Sequence, residues 1–96
     1  MFARLVTFTL SPGNGKLTER LADEQEPIVR GLQGFKGLSF LHDDAANRFG
    51  SFSTWETRKD AEAVSGVASL QVKDALKSCM TGRPTVSVFE VYEPRA

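Results

Sequence analysis

The stretch from Gly34 to Glu56 constrains the fold of this 96-residue chain more than any other. Two apolar runs of strand-forming residues flank a polar patch, residues 43 to 47, which contains no long side chain. Apolar runs joined by a short polar loop are typical of a β-hairpin. Trp55, the only tryptophan, closes the second strand, and Thr57 then begins a helical pattern. The rest of the chain is therefore expected to supply elements that pack around this hairpin.

A strand and a helix are predicted before the hairpin. Residues Phe2 to Leu10 alternate and are rich in β-branched and aromatic side chains, which favours a strand. After turn residues at positions 11 to 15, a helix is predicted from about Lys16 to Leu32, with a kink at Pro27 rather than a break into two helices. Its apolar face is predicted to contain Leu17, Leu21, Ile28 and Leu32.

A helix and a strand are predicted after the hairpin. Thr57 is the expected N-cap of a helix that loosens at Ser65-Gly66 and resumes from about Val67 to Met80. Gly82-Arg83-Pro84 predicts a stop, and the last strand is expected from Thr85 to Glu93. This order of elements predicts a ferredoxin-like βαββαβ fold of the α+β class. Its four-stranded antiparallel sheet would carry the helices on one face.

Length and composition exclude several classes of protein. Ninety-six residues are expected to form a single domain, residues 1–96. Lysine plus arginine and aspartate plus glutamate both number 12, so no basic field attracts nucleic acid. No apolar run approaches the ~18 residues needed to span a membrane. A single cysteine favours a reducing compartment, so a cytoplasmic protein is expected, with neither nucleic acid nor membrane as a partner.

RNA binding is an alternative function, because RNA-recognition domains share this order of elements. Residues 48 to 55 superficially resemble the aromatic motif on the third strand of those domains. Phe49 stands where that motif requires a glycine, and the zero net charge disfavours phosphate binding. Both features disfavour RNA binding, and a salt-dependent shift with single-stranded RNA would be needed to support it.

The alternation within the strands predicts two apolar faces on the sheet. The face assigned to the helices contains Phe2, Val6, Phe8, Leu38, Phe40, Phe52, Val86 and Val88. The opposite face, which would be polar if it met water, contains Leu5, Phe35, Leu41, Phe49, Phe89 and Val91. That second face would measure roughly 350 Å² in projection, which is typical of an interface. A homodimer with two sheets packed face to face is predicted, and a monomer with an apolar sheet surface is the alternative.

Two segments carry a resemblance to a known family: Gly34-Phe-Lys-Gly-Leu-Ser-Phe40 and Phe52-Ser-Thr-Trp-Glu-Thr-Arg-Lys-Asp-Ala61. With the short hairpin between them, they resemble the dimeric α+β barrel proteins of the antibiotic biosynthesis monooxygenase (ABM) superfamily. The resemblance covers nearly the whole chain. It implies a pocket between the sheet and the helices of each subunit, bordered by Trp55. The superfamily includes cofactor-independent quinone-forming oxygenases, haem-degrading enzymes and members with no assigned role.

The haem-degrading branch does not fit this sequence, because its first-strand asparagine falls on Val6 and residues 67 to 80 contain no histidine. The quinone-forming branch oxidises a bound phenol with oxygen and uses no metal or cofactor. Such a reaction needs a group that deprotonates or orients the phenol, and aromatic walls that exclude water. The resemblance implies catalytic roles for His42, Trp55 and Arg4, and ligand contacts from Val6, Phe8, Phe40 and Tyr92.

Each catalytic candidate has a structural alternative. His42 stands beside Asp43-Asp44 at a hairpin end, where histidines are often solvated. Trp55 would plug the junction between sheet and second helix, and Arg4 would face water or an acidic neighbour. No cluster has metal-ligand spacing, so no metal site is expected. Two functions stay open: a cofactor-independent monooxygenase for a small aromatic substrate, and a non-catalytic dimeric barrel that binds a small ligand or serves as a stress-related module.

Overall fold

A computed structural model describes residues 1–64 and 68–94 of the chain. In chain order the elements are β1 (Phe2–Leu10), α1 (Gly15–Arg30), β2 (Phe35–Asp43), a 3-10 turn (Asp44–Ala46), β3 (Arg48–Trp55), α2 (Arg58–Ala63), α3 (Ala68–Leu76) and β4 (Met80–Glu90). The strands form a four-stranded antiparallel sheet in the order β2-β3-β1-β4. The predicted α+β ferredoxin-like fold is confirmed. Within the described ranges no helix is long and apolar enough to cross a membrane.

The central hairpin forms as predicted. β2 and β3 pair from Gly37 opposite Thr54 to Asp43 opposite Arg48. The Asp43 carboxylate accepts a hydrogen bond from the Ala46 amide at 3.3 Å, which closes the first turn of the connection. Asn47 then takes φ of +52°, a left-handed conformation that asparagine adopts more readily than most residues. Polar turn chemistry thus joins the two apolar strands.

The first helix runs from Gly15 to Arg30 without a break at Pro27, but its buried face differs from the predicted one. The buried residues are Leu21, Gln25 and Val29, spaced four apart, whereas Ile28 is exposed. The predicted face included Ile28 and left out its neighbour Val29, which is the buried residue of that turn. The structure instead buries a glutamine in that row.

The second helical region begins at the predicted cap. The Thr57 hydroxyl accepts a hydrogen bond from the Asp60 amide at 3.1 Å, which satisfies one of the free donors of the first turn of α2. The predicted resumption of the helix at Val67 lies outside the described residues. α3 runs from Ala68 to Leu76, so the prediction that helix extends to Met80 is wrong.

The last strand begins five residues earlier than predicted, and Gly82-Arg83-Pro84 lies inside it rather than stopping the chain. Thr9 pairs with Thr81 and Thr7 pairs with Thr85, so residues 82 to 84 bulge opposite Phe8. β4 is an edge strand, where a proline removes no hydrogen bond from a neighbouring strand. Gly82, within this bulge, takes φ of +77°, a conformation that glycine adopts readily because it has no Cβ.

The strand register corrects three face assignments. Phe52 pairs with Leu5 and therefore lies on the open face, while Phe49 pairs with Phe8 on the face under the helices. A shift of one residue in the assumed register moves every side chain of a strand to the other face, which explains both errors. A bulge between Phe35 and Gly37 brings Phe35 to the helix-covered face as well, where its ring lies edge-on to Trp55 at 5.7 Å.

The core between sheet and helices consists of two clusters. The first cluster contains Val29, Trp55, Ala61 and Val64. The second contains Leu10, Leu21, Phe49 and Leu76. Trp55 and Leu10 are fully buried at opposite ends of the paired strands β1 and β3. The space between the two clusters is where the site lies.

Candidate functional site

A cavity of about 410 Å³ lies between the sheet and the helices, with walls from both core clusters. Its volume falls within the range of small-molecule sites. The apolar walls are formed by Val6, Phe8, Leu21, Val29, Leu38, Phe40, Phe49, Val64, Val72, Leu76 and Val86. The rings of Phe8 and Phe49 lie 6.3 Å apart. These walls suit an apolar, flat ligand better than a strongly hydrated one.

Three buried polar side chains line the inner end of the cavity. Arg4, Gln25 and Ser53 are 4%, 6% and 3% exposed. Arg4 lies on the central strand β1 and pairs directly with Ser53 on β3, so the two side chains share one face. Gln25 approaches from α1. Burial lowers the pKa of the Arg4 guanidinium, because removal from water disfavours its charged form.

Ser53 is held in place by the tryptophan. The Trp55 indole N–H donates to the Ser53 hydroxyl oxygen at 2.9 Å within the buried region. The hydroxyl group of a serine can accept such a bond and still donate its own proton. Because Ser53 lines the cavity, that proton is available to a ligand next to Arg4.

The outer end of the cavity is solvated and charged. His42 lies in one row with Phe49 and Phe8 across the sheet. Its Nδ1 atom is 3.4 Å from a carboxylate oxygen of Asp44, and both side chains are more than two-thirds exposed. Glu19 and Lys73 also line this cavity. The arrangement offers a proton acceptor or donor at the mouth, held by one carboxylate.

Arg4 and His42 lie far apart. Arg4 is four residues from Phe8 along β1, a distance of roughly 13 Å, and His42 is two strands away, roughly 10 Å. The two Cα atoms are therefore separated by roughly 16 Å. No single small functional group can contact both side chains. The inner end can hold one end of a ligand while the outer end acts on the other.

Five of the seven site residues predicted from the sequence line the cavity, although not at one point. Arg4, Val6, Phe8, Phe40 and His42 all line the cavity. Trp55 is fully buried in the first core cluster and does not line it, which agrees with the plug interpretation. Tyr92 follows the last strand and is highly exposed, away from the cavity lining.

Sequence reasoning missed Gln25 and Ser53. A signal for Gln25 exists, because it stands midway between Leu21 and Val29 on one helical face, and a polar residue in an apolar row needs a partner or a ligand. Ser53 became visible only once the register paired it with Arg4. Within the described ranges no group of three histidine, cysteine or acidic side chains is placed to hold a metal ion.

Comparison with solved structures relates this geometry to known proteins. A Nitrosomonas europaea protein named as a candidate antibiotic biosynthesis monooxygenase superposes with a TM-score of 0.83 at 17% identity, covering 97% of this chain and 100% of that one. A Streptomyces coelicolor monooxygenase in complex with nanaomycin D gives 0.74 at 20% identity, covering 99% and 90%. SnoaB, a cofactor-independent oxygenase from Streptomyces nogalater, gives 0.73 at 16% identity, covering 97% and 94%. This chain has the antibiotic biosynthesis monooxygenase fold.

The likeness to the ABM structures is one of fold, carried by nearly the full length of both chains. No protein-family model matches the sequence, and no curated protein sequence matches it. The predicted resemblance to ABM proteins is confirmed at the level of the fold. The cavity also lies where that resemblance implies a pocket, between the sheet and the helices.

Proposed function

We propose that this ABM-fold protein binds a small aromatic compound in the cavity and oxidises it with dioxygen, without a metal or organic cofactor. The observation that carries the proposal is the cavity itself. Its aromatic and aliphatic walls can cover the faces of a flat ligand, and an ionisable side chain, His42, stands at the mouth. The oxygenase names of two ABM-fold structures support the same class of reaction.

The proposed reaction converts an aromatic methylene, in its phenolic tautomer, to a carbonyl. His42 accepts the phenolic proton, and Asp44 beside Nδ1 stabilises the imidazolium that forms. The electron-rich anion supplies electrons to dioxygen, and a carbon–oxygen bond forms. The oxygen–oxygen bond then breaks, one oxygen stays as the carbonyl oxygen and the other leaves as water with the two substrate hydrogens. The substrate supplies all four electrons, so no further reductant is needed.

Oxygen uptake with anthrone tests this proposal. The wild-type protein should consume one dioxygen per anthrone and form the quinone faster than buffer alone. His42→Ala should lower turnover by about 100-fold or more, because loss of a positioned general base typically has that effect. Asp44→Asn should cause a smaller loss. A wild-type rate equal to the autoxidation rate in buffer, with anthrone still raising the melting temperature, would refute the oxygenase function.

The second candidate function is ligand binding without turnover. It is favoured by the burial of Trp55, which keeps that ring from stacking on a ligand, and by the exposure of His42 to water. The same oxygen-uptake experiment separates the two functions, since this one predicts thermal stabilisation by the ligand and no quinone.

We further propose a homodimer formed through the open face of the sheet, in the cytoplasm. The open face presents the exposed side chains of Leu41, Phe52 and Phe89. A cluster of this kind is typical of an interface. The single cysteine, Cys79, supports the compartment. Light scattering at micromolar concentration should give a dimeric mass for the wild type and a monomeric mass for Phe52→Lys; a monomeric wild type would contradict the interface.

A further inference from the structure

The inner end of the cavity is polar in a way that the proposed reaction does not use. Arg4, Gln25 and Ser53 are each more than nine-tenths buried and line the cavity from two sides, the sheet and α1. A guanidinium carries five N–H donors and an amide carries two, so each can keep contacts within the fold and still donate to a group in the cavity. Leu10, on the same face of the same strand as Arg4, is buried without any polar group, so a buried residue on this face of β1 need not be polar.

We propose that the cavity selects flat aromatic acids, and that Arg4 is the residue that selects them. The carboxylate lies at the inner end, on the guanidinium of Arg4, with the Ser53 hydroxyl and the Gln25 amide as further donors. This inference rests on the proposed ligand-binding function and names the class of ligand.

The chemistry of the three side chains matches a carboxylate. A guanidinium presents parallel N–H donors in a fork that pairs with both oxygens of a carboxylate. The Ser53 hydroxyl oxygen already accepts the indole N–H, and the hydroxyl can still donate its own proton to an acceptor in the ligand. The Gln25 amide carries two further N–H donors. An anion also favours the charged guanidinium that burial alone disfavours.

The spacing of the two ends sets the size of the ligand. The inner polar end and His42 are separated by roughly 16 Å between Cα atoms, across the rings of Phe8 and Phe40. A single aromatic ring with one carboxylate cannot extend from Arg4 to the mouth. A compound with two or three fused rings can, with its acid group inward and its far edge toward His42.

Calorimetric titration with 2-naphthoate and its neutral isostere 2-naphthamide tests the inference. The wild type should bind naphthoate roughly tenfold to 100-fold more tightly than naphthamide, as expected for a buried hydrogen bond to a charged group. Arg4→Met should abolish that preference. The matched variant Arg20→Met, at an exposed arginine on α1, should retain it.

Each outcome decides a different point. Equal affinity of the two probes for the wild type overturns the selection of acids while leaving the ligand-binding function in place. Binding of neither probe overturns both. If Arg4→Met does not fold, Arg4→Lys keeps the charge but loses the fork, and it should still bind naphthoate more weakly than the wild type does. A preference that survives in Arg4→Met, or an affinity of Arg4→Lys for naphthoate equal to that of the wild type, would overturn the role of Arg4.

Discussion

Replacing Trp55 by phenylalanine should destabilise the protein without weakening the binding of a neutral ligand. The indole is fully buried against Val29, Ala61 and Val64. The change removes the buried hydrogen bond to Ser53, which is worth about 1 kcal/mol. It also removes part of the ring from the core, which costs about 2 kcal/mol of apolar burial. Together the free energy of unfolding should fall by about 3 kcal/mol.

Circular dichroism measures this loss, since the variant has no tryptophan fluorescence. A decrease of about 3 kcal/mol corresponds to a melting temperature lower by roughly 12–24 °C in a chain of this size. The affinity for 2-naphthamide, measured below the transition, should stay within about threefold of the wild-type value, because an energy change below ~0.7 kcal/mol is expected where no contact is lost. Tyr92→Phe is the matched control, because it removes one polar group from an exposed aromatic ring and should leave the melting temperature unchanged.

The opposite pattern would refute the plug interpretation. An unchanged melting temperature together with a tenfold loss of naphthamide affinity would mean that the indole contacts the ligand rather than the core. In the wild type the same interpretation requires a blue-shifted tryptophan emission that acrylamide quenches poorly, since Trp55 is the only tryptophan. An emission typical of exposed indole would contradict the structure independently of any variant.

Three further predictions concern the strands and the caps. Gly50→Ala should lower the unfolding free energy by more than about 2 kcal/mol, because the new Cβ would meet the backbone carbonyl oxygen of Val6 on the neighbouring strand; urea denaturation measures this. The Lys36 ammonium lies 2.7 Å from the Glu56 carboxylate and lowers the pKa of that carboxyl below 4.5. The pair therefore stabilises the fold above pH 4.5, and this contribution is lost as the pH falls through the lowered pKa. In Lys36→Met, the pKa of Glu56 measured by NMR should return toward 4.5. Thr57→Ala should cost about 1 kcal/mol by removing the N-cap of α2, seen as a melting temperature lower by roughly 4–8 °C.

Much of the fold could be predicted because its signals are local. The hairpin, the strand from Phe2 to Leu10 and the Thr57 cap each depend on residues within a few positions of one another. Asn47 at the left-handed position and Asp43 at the turn are the residue types that such a connection requires. The order of elements then restricts the topology to very few arrangements.

The strand faces could not be predicted because they depend on pairing between distant segments. Alternation within β3 separates Phe49 from Phe52 but does not say which of them lies under the helices. The pairing of Phe49 with Phe8 on β1 shows that Phe49 is the one under the helices. In β2, the bulge after Phe35 places that residue on the same face as His42, although simple alternation would put the two on opposite faces. Gly82-Arg83-Pro84 was mistaken for a stop for the same reason, since only the edge position of β4 lets a proline stay in the strand.

Part of the candidate site could be predicted from the sequence. Arg4 and His42 were identifiable by their chemistry, since a charged residue within an apolar strand and a lone histidine both attract notice. Their separation to opposite ends of the cavity follows from the order of strands in space, with β3 between β2 and β1. Residue type alone therefore assigned Arg4 and His42 to one catalytic group, whereas the order of strands places them at opposite ends of the cavity.

The division of the cavity also explains how Trp55 can matter to the site without touching a ligand. Its indole N–H occupies one acceptor position of Ser53, and Ser53 stands opposite Arg4 in the sheet. Because the Ser53 oxygen accepts the indole N–H, the Ser53 hydroxyl proton can be donated to a ligand in the cavity. Ser53 lies beside Arg4, where the acid group is proposed to bind. A change at Trp55 should act on the preference for an acid over an amide and leave the binding of the ring system alone. A stacking tryptophan would do the reverse, because stacking energy is shared by both probes.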